Sequence, residues 1–72
     1  MFRPQFLFKR NLALAYFPQA GSADVARHTL MNLIESDSKL MQQLLDTGYN
    51  RSHRQFTPRQ VQLIINRLGN PF

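Results

Sequence analysis

The chain has 72 residues, no cysteine, and nine Lys or Arg against four Asp or Glu, which gives a formal net charge of +5. This length allows one small domain, residues 1–72, and the lack of thiols excludes a disulfide framework and a thiolate zinc site, so apolar packing must stabilise the fold. A chain without cysteine fits a reducing cytoplasm, and the surplus of positive charge favours a polyanionic partner, although solubility alone would also explain that charge.

An extended arm and a short helix are expected at the N-terminal end. Residues 1–9 are rich in phenylalanine and include Pro4, which favours an extended arm over a helix. The aromatic rings of the arm are expected to close the core, and pairing of the arm with residues 53–56 as a short hairpin stays open. A helix follows at about residues 11–17, with Asn11 as its N-cap and Pro18 beyond its end.

Two more helices are expected in the middle of the chain. Ser22 is a good N-cap for a helix at about residues 23–35, and Asp24 suits the positive end of that helix dipole. The next helix covers about residues 38–47, and Gly48 ends it. The faces expected to be buried consist of Ala26, Leu30, Leu33 and Ile34 on the second helix, and Leu40, Met41, Leu44 and Leu45 on the third.

The last helix, at about residues 58–68, carries the clearest local signals. Thr57 is an N-cap, Pro58 occupies the first helical position, and Gln60 stands where the partner in a capping box belongs. Its buried face is expected to consist of Val61, Ile64, Ile65 and Leu68.

The four helices together predict an all-α fold: a small four-helix domain with an extended N-terminal arm. Its first two helices are helix-turn-helix-like, which is the arrangement of many small DNA-binding proteins. Their connection is longer than the usual tight turn, so an ordinary helical hairpin is an alternative interpretation of the same pattern.

The positive charge lies at the two ends of the sequence. Residues 1–11 and residues 50–72 contain cationic side chains and no acidic residue. Phosphate contacts supply most of the non-specific affinity of proteins for DNA, so these ends are expected to form the binding surface if the fold brings them together. The expected phosphate contacts are Lys9, Arg10, Arg51, Arg54 and Arg59.

Two helices offer candidates for contacts to base edges. The solvent face of the second helix carries Arg27 and His28, and the last helix carries Arg59, Gln62 and Asn66 outside its apolar stripe. Arg, Gln and Asn are side chains that read base edges in the grooves of DNA. Any solvated helix face displays the same residue types, so both interpretations stay open.

Catalysis and metal binding find little support in the sequence. The few acidic residues are not paired for acid–base chemistry, and no cysteine nucleophile exists. His28 and His53 lack the spacing of metal ligands. We therefore expect a protein that is not an enzyme, with no catalytic residue, metal, cofactor or small-molecule substrate.

The sequence also bears on membrane contact and on base stacking. No apolar run approaches the roughly 18 residues of a membrane span, and polar residues interrupt any signal-peptide core, so we expect a cytoplasmic protein without a membrane partner. The phenylalanines at positions 2, 6 and 8 lie close to Lys9 and Arg10, a pattern that would suit stacking on single-stranded nucleic acid. Core filling is the preferred interpretation for so small a domain.

Several motifs together resemble a family of short bacterial proteins classed as a domain of unknown function. The similar positions are Leu12-Ala13, Tyr16-Phe17-Pro18, the spacing of Ala26, Leu30 and Ile34, Gly48-Tyr49, the run from Phe56 to Val61, and Leu68-Gly69. Members usually begin the first helix with a Ser-Glu pair, where this chain has Arg10 and Asn11. The resemblance implies an accessory product of a prophage-like or mobile island, a setting rich in compact helical DNA binders, and it implies no site residue.

Two functional hypotheses follow from the sequence. The first is a small DNA-binding accessory or regulatory protein of helix-turn-helix type that forms a homodimer. The alternative is a protein-interaction module or homo-oligomer with no nucleic-acid role, which the phenylalanines at the chain ends favour.

Overall fold

A computed structural model describes residues 7–71 of the chain and shows four α-helices in that range. They are α1 (Lys9–Tyr16), α2 (Ala23–Ser36), α3 (Ser38–Asp46) and α4 (Pro58–Leu68). The expected all-α, four-helix fold is therefore confirmed. Each helix packs against the next along the chain, and α1 with α2 is the pair that the sequence predicted to be helix-turn-helix-like. Most of the expected N-terminal arm, residues 1–6, lies outside the described residues.

One apolar core joins the four helices and the segment between α3 and α4. Every helix contributes side chains that are fully buried, and two aromatic rings from the connecting segment complete the cluster. The buried apolar residues are Leu12, Ala13, Ala26, Leu30, Ile34, Leu40, Leu44, Tyr49, Phe56, Val61 and Ile64.

Two leucines that the sequence pattern placed in the core are exposed. The side chain of Leu33 is 43% exposed and that of Leu45 is 56% exposed. Leu33 precedes the fully buried Ile34, and Leu45 follows the fully buried Leu44. One position along a helix turns the side chain by roughly 100°. The expected buried faces of α2 and α3 were therefore too wide by one residue each.

The first helix begins earlier than the sequence predicted. Its N-cap is Phe8, which makes no side-chain capping hydrogen bond, so the expected cap at Asn11 is wrong. The N–H of Leu12 already donates to the carbonyl oxygen of Phe8 at 3.0 Å. Lys9, assigned to the arm from the sequence, is the first residue of α1 and is buried.

The junction between α2 and α3 depends on a single carboxylate. Asp37 ends α2, and its Oδ1 accepts a hydrogen bond from the N–H of Leu40 and so caps α3. The Nε of Arg67, in the last turn of α4, donates to Oδ2 of Asp37 at 2.6 Å. The Arg67 hydrogen bond and the capped N–H groups of α3 hold the pKa of Asp37 below its usual value. This carboxylate therefore ties α4 to the junction.

The fourth helix has the predicted bounds and the predicted cap. The N–H of Gln60 donates to Oγ1 of Thr57 at 3.2 Å, and the N–H of Thr57 donates to Oε1 of Gln60 at 2.9 Å, which completes the capping box. Gly69 ends the helix with φ of +98°, a conformation that glycine adopts without strain. The carbonyl oxygen of Gly69 accepts a hydrogen bond from the hydroxyl of Tyr16, and burial raises the pKa of that tyrosine to about 12.

Replacement of the cap, Thr57→Ala, is expected to lower the free energy of unfolding by about 1 kcal/mol, because one backbone N–H at the start of α4 loses its acceptor. Urea unfolding followed by circular dichroism measures the change. Thr57→Ser keeps a hydroxyl acceptor and should stay close to the unsubstituted protein. Equal losses for the two variants would show that the side-chain cap is not the stabilising feature.

Candidate nucleic-acid interface

The segment from residue 50 to residue 55 is a turn held by its own polar groups. Oδ1 of Asn50 accepts hydrogen bonds from the N–H of Ser52 at 2.9 Å and from its hydroxyl at 2.8 Å. The N–H of His53 donates to the carbonyl oxygen of Asn50 at 3.0 Å. An Asx turn of this kind fixes a polar segment that has no apolar side chain to anchor it.

Backbone pairing places this turn against the start of α1. An antiparallel bridge joins Phe8 and Gln55. Two backbone hydrogen bonds flank the bridge. The N–H of Lys9 donates to the carbonyl oxygen of Arg54 at 3.0 Å, and the N–H of Phe56 donates to the carbonyl oxygen of Leu7 at 2.7 Å. The pairing that the sequence left open is therefore present as a single bridge. It brings the two basic ends of the sequence side by side.

The result is a cleft of about 540 Å³ between the start of α1, the first turns of α2 and the 50–55 turn. We call it the basic cleft, because its walls include five cationic side chains and one carboxylate, that of Asp24. The cationic residues are Lys9, Arg10, Arg27, Arg51 and Arg54. All five were named from the sequence as candidate contacts to nucleic acid.

The other candidates do not line the basic cleft. His28 is exposed on α2, and Arg59 is exposed at the start of α4. Gln62 and Asn66 are exposed on α4 and are paired with each other, since Nε2 of Gln62 donates to Oδ1 of Asn66 at 3.0 Å. The structure therefore brings together one set of candidates and leaves the polar face of α4 outside it.

Lys9 differs from the exposed phosphate contact that the sequence predicted. Its side chain is buried, and its ammonium group donates to the hydroxyl of Tyr49 at 2.8 Å and to the carbonyl oxygen of Arg51 at 3.2 Å. The same nitrogen lies 4.6 Å from the ring centroid of Tyr49 and 5.5 Å from that of Phe56. Burial, together with the positive charges of Arg27 and Arg51, lowers the pKa of Lys9, and Glu35 opposes that shift. The amine therefore ties α1 to Tyr49 and to the 50–55 turn beneath the cleft.

The four arginines of the basic cleft differ in how far their charge is already neutralised. Arg51 makes an ion pair of 2.8 Å with Glu35 on α2, and Arg27 lies 3.8 Å from the carboxylate of Asp24. Within residues 7–71, no carboxylate pairs with Arg10 or Arg54. Both side chains are exposed, so their guanidinium groups are available to an incoming anion.

Four residues that line the cleft are not among the site residues predicted from the sequence: Phe8, Asp24, Ser52 and His53. Phe8 was expected to fill the core, but its side chain is 41% exposed. The sequence signal for Phe8 is its position next to Lys9 and Arg10, and the bridge to Gln55 places its backbone beside the basic turn.

The described part of the chain holds neither a metal-binding cluster nor a membrane-spanning helix. Across residues 7–71, no three side chains of His, Cys, Asp or Glu lie close enough together to hold a metal ion. None of the four helices seen there has the length and apolar character needed to cross a membrane.

Fold and site together define a small all-α domain with a basic cleft at the junction of its two sequence ends. The model of a family described as a domain of unknown function (DUF4248) matches residues 4–71, and the chain belongs to that family. Searches of curated proteins and of solved structures gave no match. The membership agrees with the resemblance seen in the sequence, and it assigns no activity to any residue.

Proposed function

We propose that this protein binds DNA through the basic cleft and acts as a small accessory or regulatory factor. The supporting observation is the convergence of four arginines from α1, α2 and the 50–55 turn around one opening, with a single carboxylate among them. Clefts lined by charge of one sign concentrate ligands of the opposite sign. DNA is the polyanion whose closely spaced phosphates suit several guanidinium groups at once.

Contacts to the phosphate backbone carry the proposed binding. Within residues 7–71, no carboxylate pairs with Arg10 or Arg54, and Arg27 lies 3.8 Å from the exposed carboxylate of Asp24. Each of these three arginines is assigned one phosphate. The helix-turn-helix-like pair takes part through Arg27 on α2. Three neutralised phosphates correspond to an affinity loss of about 20- to 40-fold between roughly 50 and 200 mM salt.

Fluorescence anisotropy with a labelled DNA that contains both a duplex and a single-stranded overhang tests this proposal. We expect saturable binding at about 50 mM salt that weakens by about 20- to 40-fold as salt rises to roughly 200 mM. No binding at the low salt concentration, or binding that salt does not change, would overturn it.

The variant Lys9→Met tests whether the buried amine, unlike the exposed arginines, makes no contact with a phosphate. A buried ammonium group releases no counterion when a phosphate arrives, so the slope of log affinity against log salt should not change in this variant. Arg54→Ala should lower that slope by about 0.7 to 0.9, the loss of one phosphate contact. The proposed division of roles is wrong if both substitutions lower the slope equally in salt titrations of folded variants.

A second candidate function is self-association as a homodimer, and an apolar groove favours it. The groove, of about 380 Å³, lies beside the connection between α1 and α2 and is lined by Phe17, Pro18, Ala20, Val25 and other residues. Val25 is 50% exposed there. Exposed apolar patches of this type mark contact sites between proteins.

Light scattering after size exclusion tests this candidate. A dimer through the groove should become a monomer in Val25→Glu, because the substitution buries an unpaired carboxylate in the interface. A monomer at every protein concentration in the unsubstituted chain would reject it. DNA binding does not depend on this outcome, since Val25 is not part of the basic cleft.

A further inference from the structure

The aromatic ring of Phe8 in the basic cleft indicates which form of DNA the site binds. Among the large apolar side chains that are exposed in residues 7–71, Phe8 is the aromatic one; the others are Val25, Leu33 and Leu45. Of these, Phe8 lines the cleft that holds the arginines. An exposed ring that lies among cations, rather than in the core, suits a partner with both a flat apolar face and negative charge.

The backbone that carries this ring is held on both sides. Phe8 is bridged to Gln55 and is the N-cap residue of α1, so its main chain is held by the 50–55 turn on one side and by a helix on the other. Arg10 lies two positions further along α1, and Arg54 is the neighbour of the bridged Gln55. The ring and the two guanidinium groups without a carboxylate partner therefore belong to the same pair of chain segments.

The basic cleft has the size of a site for a single nucleotide. Its volume of about 540 Å³ lies in the range of small-molecule and cofactor sites, which is about 300–1,000 Å³. The imidazole of His53 supplies a second ring at the edge of the same space. A nucleotide offers a planar base for a ring and a phosphate for an arginine, so it satisfies both features of the site.

We infer that the basic cleft binds an unpaired nucleotide of single-stranded DNA, with its base stacked on Phe8 and its phosphates held by Arg10 and Arg54. The inference rests on the proposed DNA binding and specifies its substrate. In a duplex the faces of the bases are covered by their neighbours, so a protein ring stacks only on a base that is unpaired or at an end. Single-stranded DNA should therefore bind more tightly than duplex DNA with the same number of phosphates.

The test compares two labelled probes, an oligothymidine of about 12 nucleotides and a blunt duplex hairpin with as many phosphates. We expect the oligothymidine to bind on the order of tenfold more tightly, and Phe8→Ala to remove that difference by weakening the single strand alone. Phe8→Leu keeps apolar bulk without an aromatic face and should behave like Phe8→Ala. Leu45→Ala, an exposed apolar substitution outside the cleft, should leave both affinities unchanged.

Each outcome of this experiment decides one of the two proposals. Equal affinity for the two probes, a Phe8→Ala variant that weakens both or neither, or a Phe8→Leu variant that binds like the unsubstituted protein would overturn the stacking inference and leave DNA binding in place. A lack of binding to either probe would overturn the proposed function itself. Phe8 is exposed and caps α1 through its backbone, so thermal melts of both variants should confirm that they fold.

Discussion

The double substitution Arg10→Ala/Arg54→Ala is expected to weaken DNA binding on the order of 100-fold at about 50 mM salt. Each guanidinium group is exposed in the basic cleft, and no carboxylate of residues 7–71 pairs with it. A hydrogen bond to a charged group contributes about 1.5 kcal/mol or more, which corresponds to roughly tenfold in affinity for each arginine. Fluorescence anisotropy with the partial duplex measures the loss.

The chain offers a control with the same change in charge. Lys39 and Arg59 are exposed and lie outside the basic cleft, so Lys39→Ala/Arg59→Ala removes two positive charges without touching the site. We expect this variant to bind within about threefold of the unsubstituted protein, because neither side chain lines the cleft and salt weakens the field of charges that do not contact the DNA. Equal losses in the two double variants would mean that net charge, and not the cleft, determines binding.

The second large effect concerns stability: Leu44→Ala is expected to lower the free energy of unfolding by about 2–5 kcal/mol. Leu44 is fully buried in the common core, so its truncation leaves a cavity that the packed helices cannot fill. A domain of 72 residues has a total stability of about 4–11 kcal/mol, so this single change should remove a large share of it. Urea denaturation gives the difference directly.

The neighbouring residue is the matched control for this prediction. Leu45→Ala removes the same atoms from a side chain that is 56% exposed, so the expected change is within about 0.5 kcal/mol. Comparable losses at positions 44 and 45 would contradict the placement of the core face of α3.

Local signals in the sequence were sufficient for most of the fold. The caps at Ser22 and Thr57 and the apolar spacing along α2 and α4 follow from interactions within about four residues, and such interactions depend little on the rest of the molecule. The start of α1 was misplaced because it is set by a contact with residues almost fifty positions away, in the bridge between Phe8 and Gln55. No local pattern near Asn11 contains that information.

In the candidate site, too, the sequence predicted what depends on local pattern and missed what depends on long-range contacts. The choice of Arg10, Arg51 and Arg54 needed only the charge pattern of the two ends. The burial of Lys9 against Tyr49 and the exposure of Phe8 depend on how those ends meet, and a charge pattern alone favours the opposite placement for both.

Chemical-shift mapping of the backbone amides during titration with single-stranded DNA tests the central claim most directly. At low salt the largest shifts should fall at residues 8–10, at Arg27 and at residues 51–54, while Gln62 and Asn66 on the outer face of α4 should not move. Shifts that concentrate on α4, or no shifts at all, would contradict the assignment of the basic cleft as the DNA-binding site.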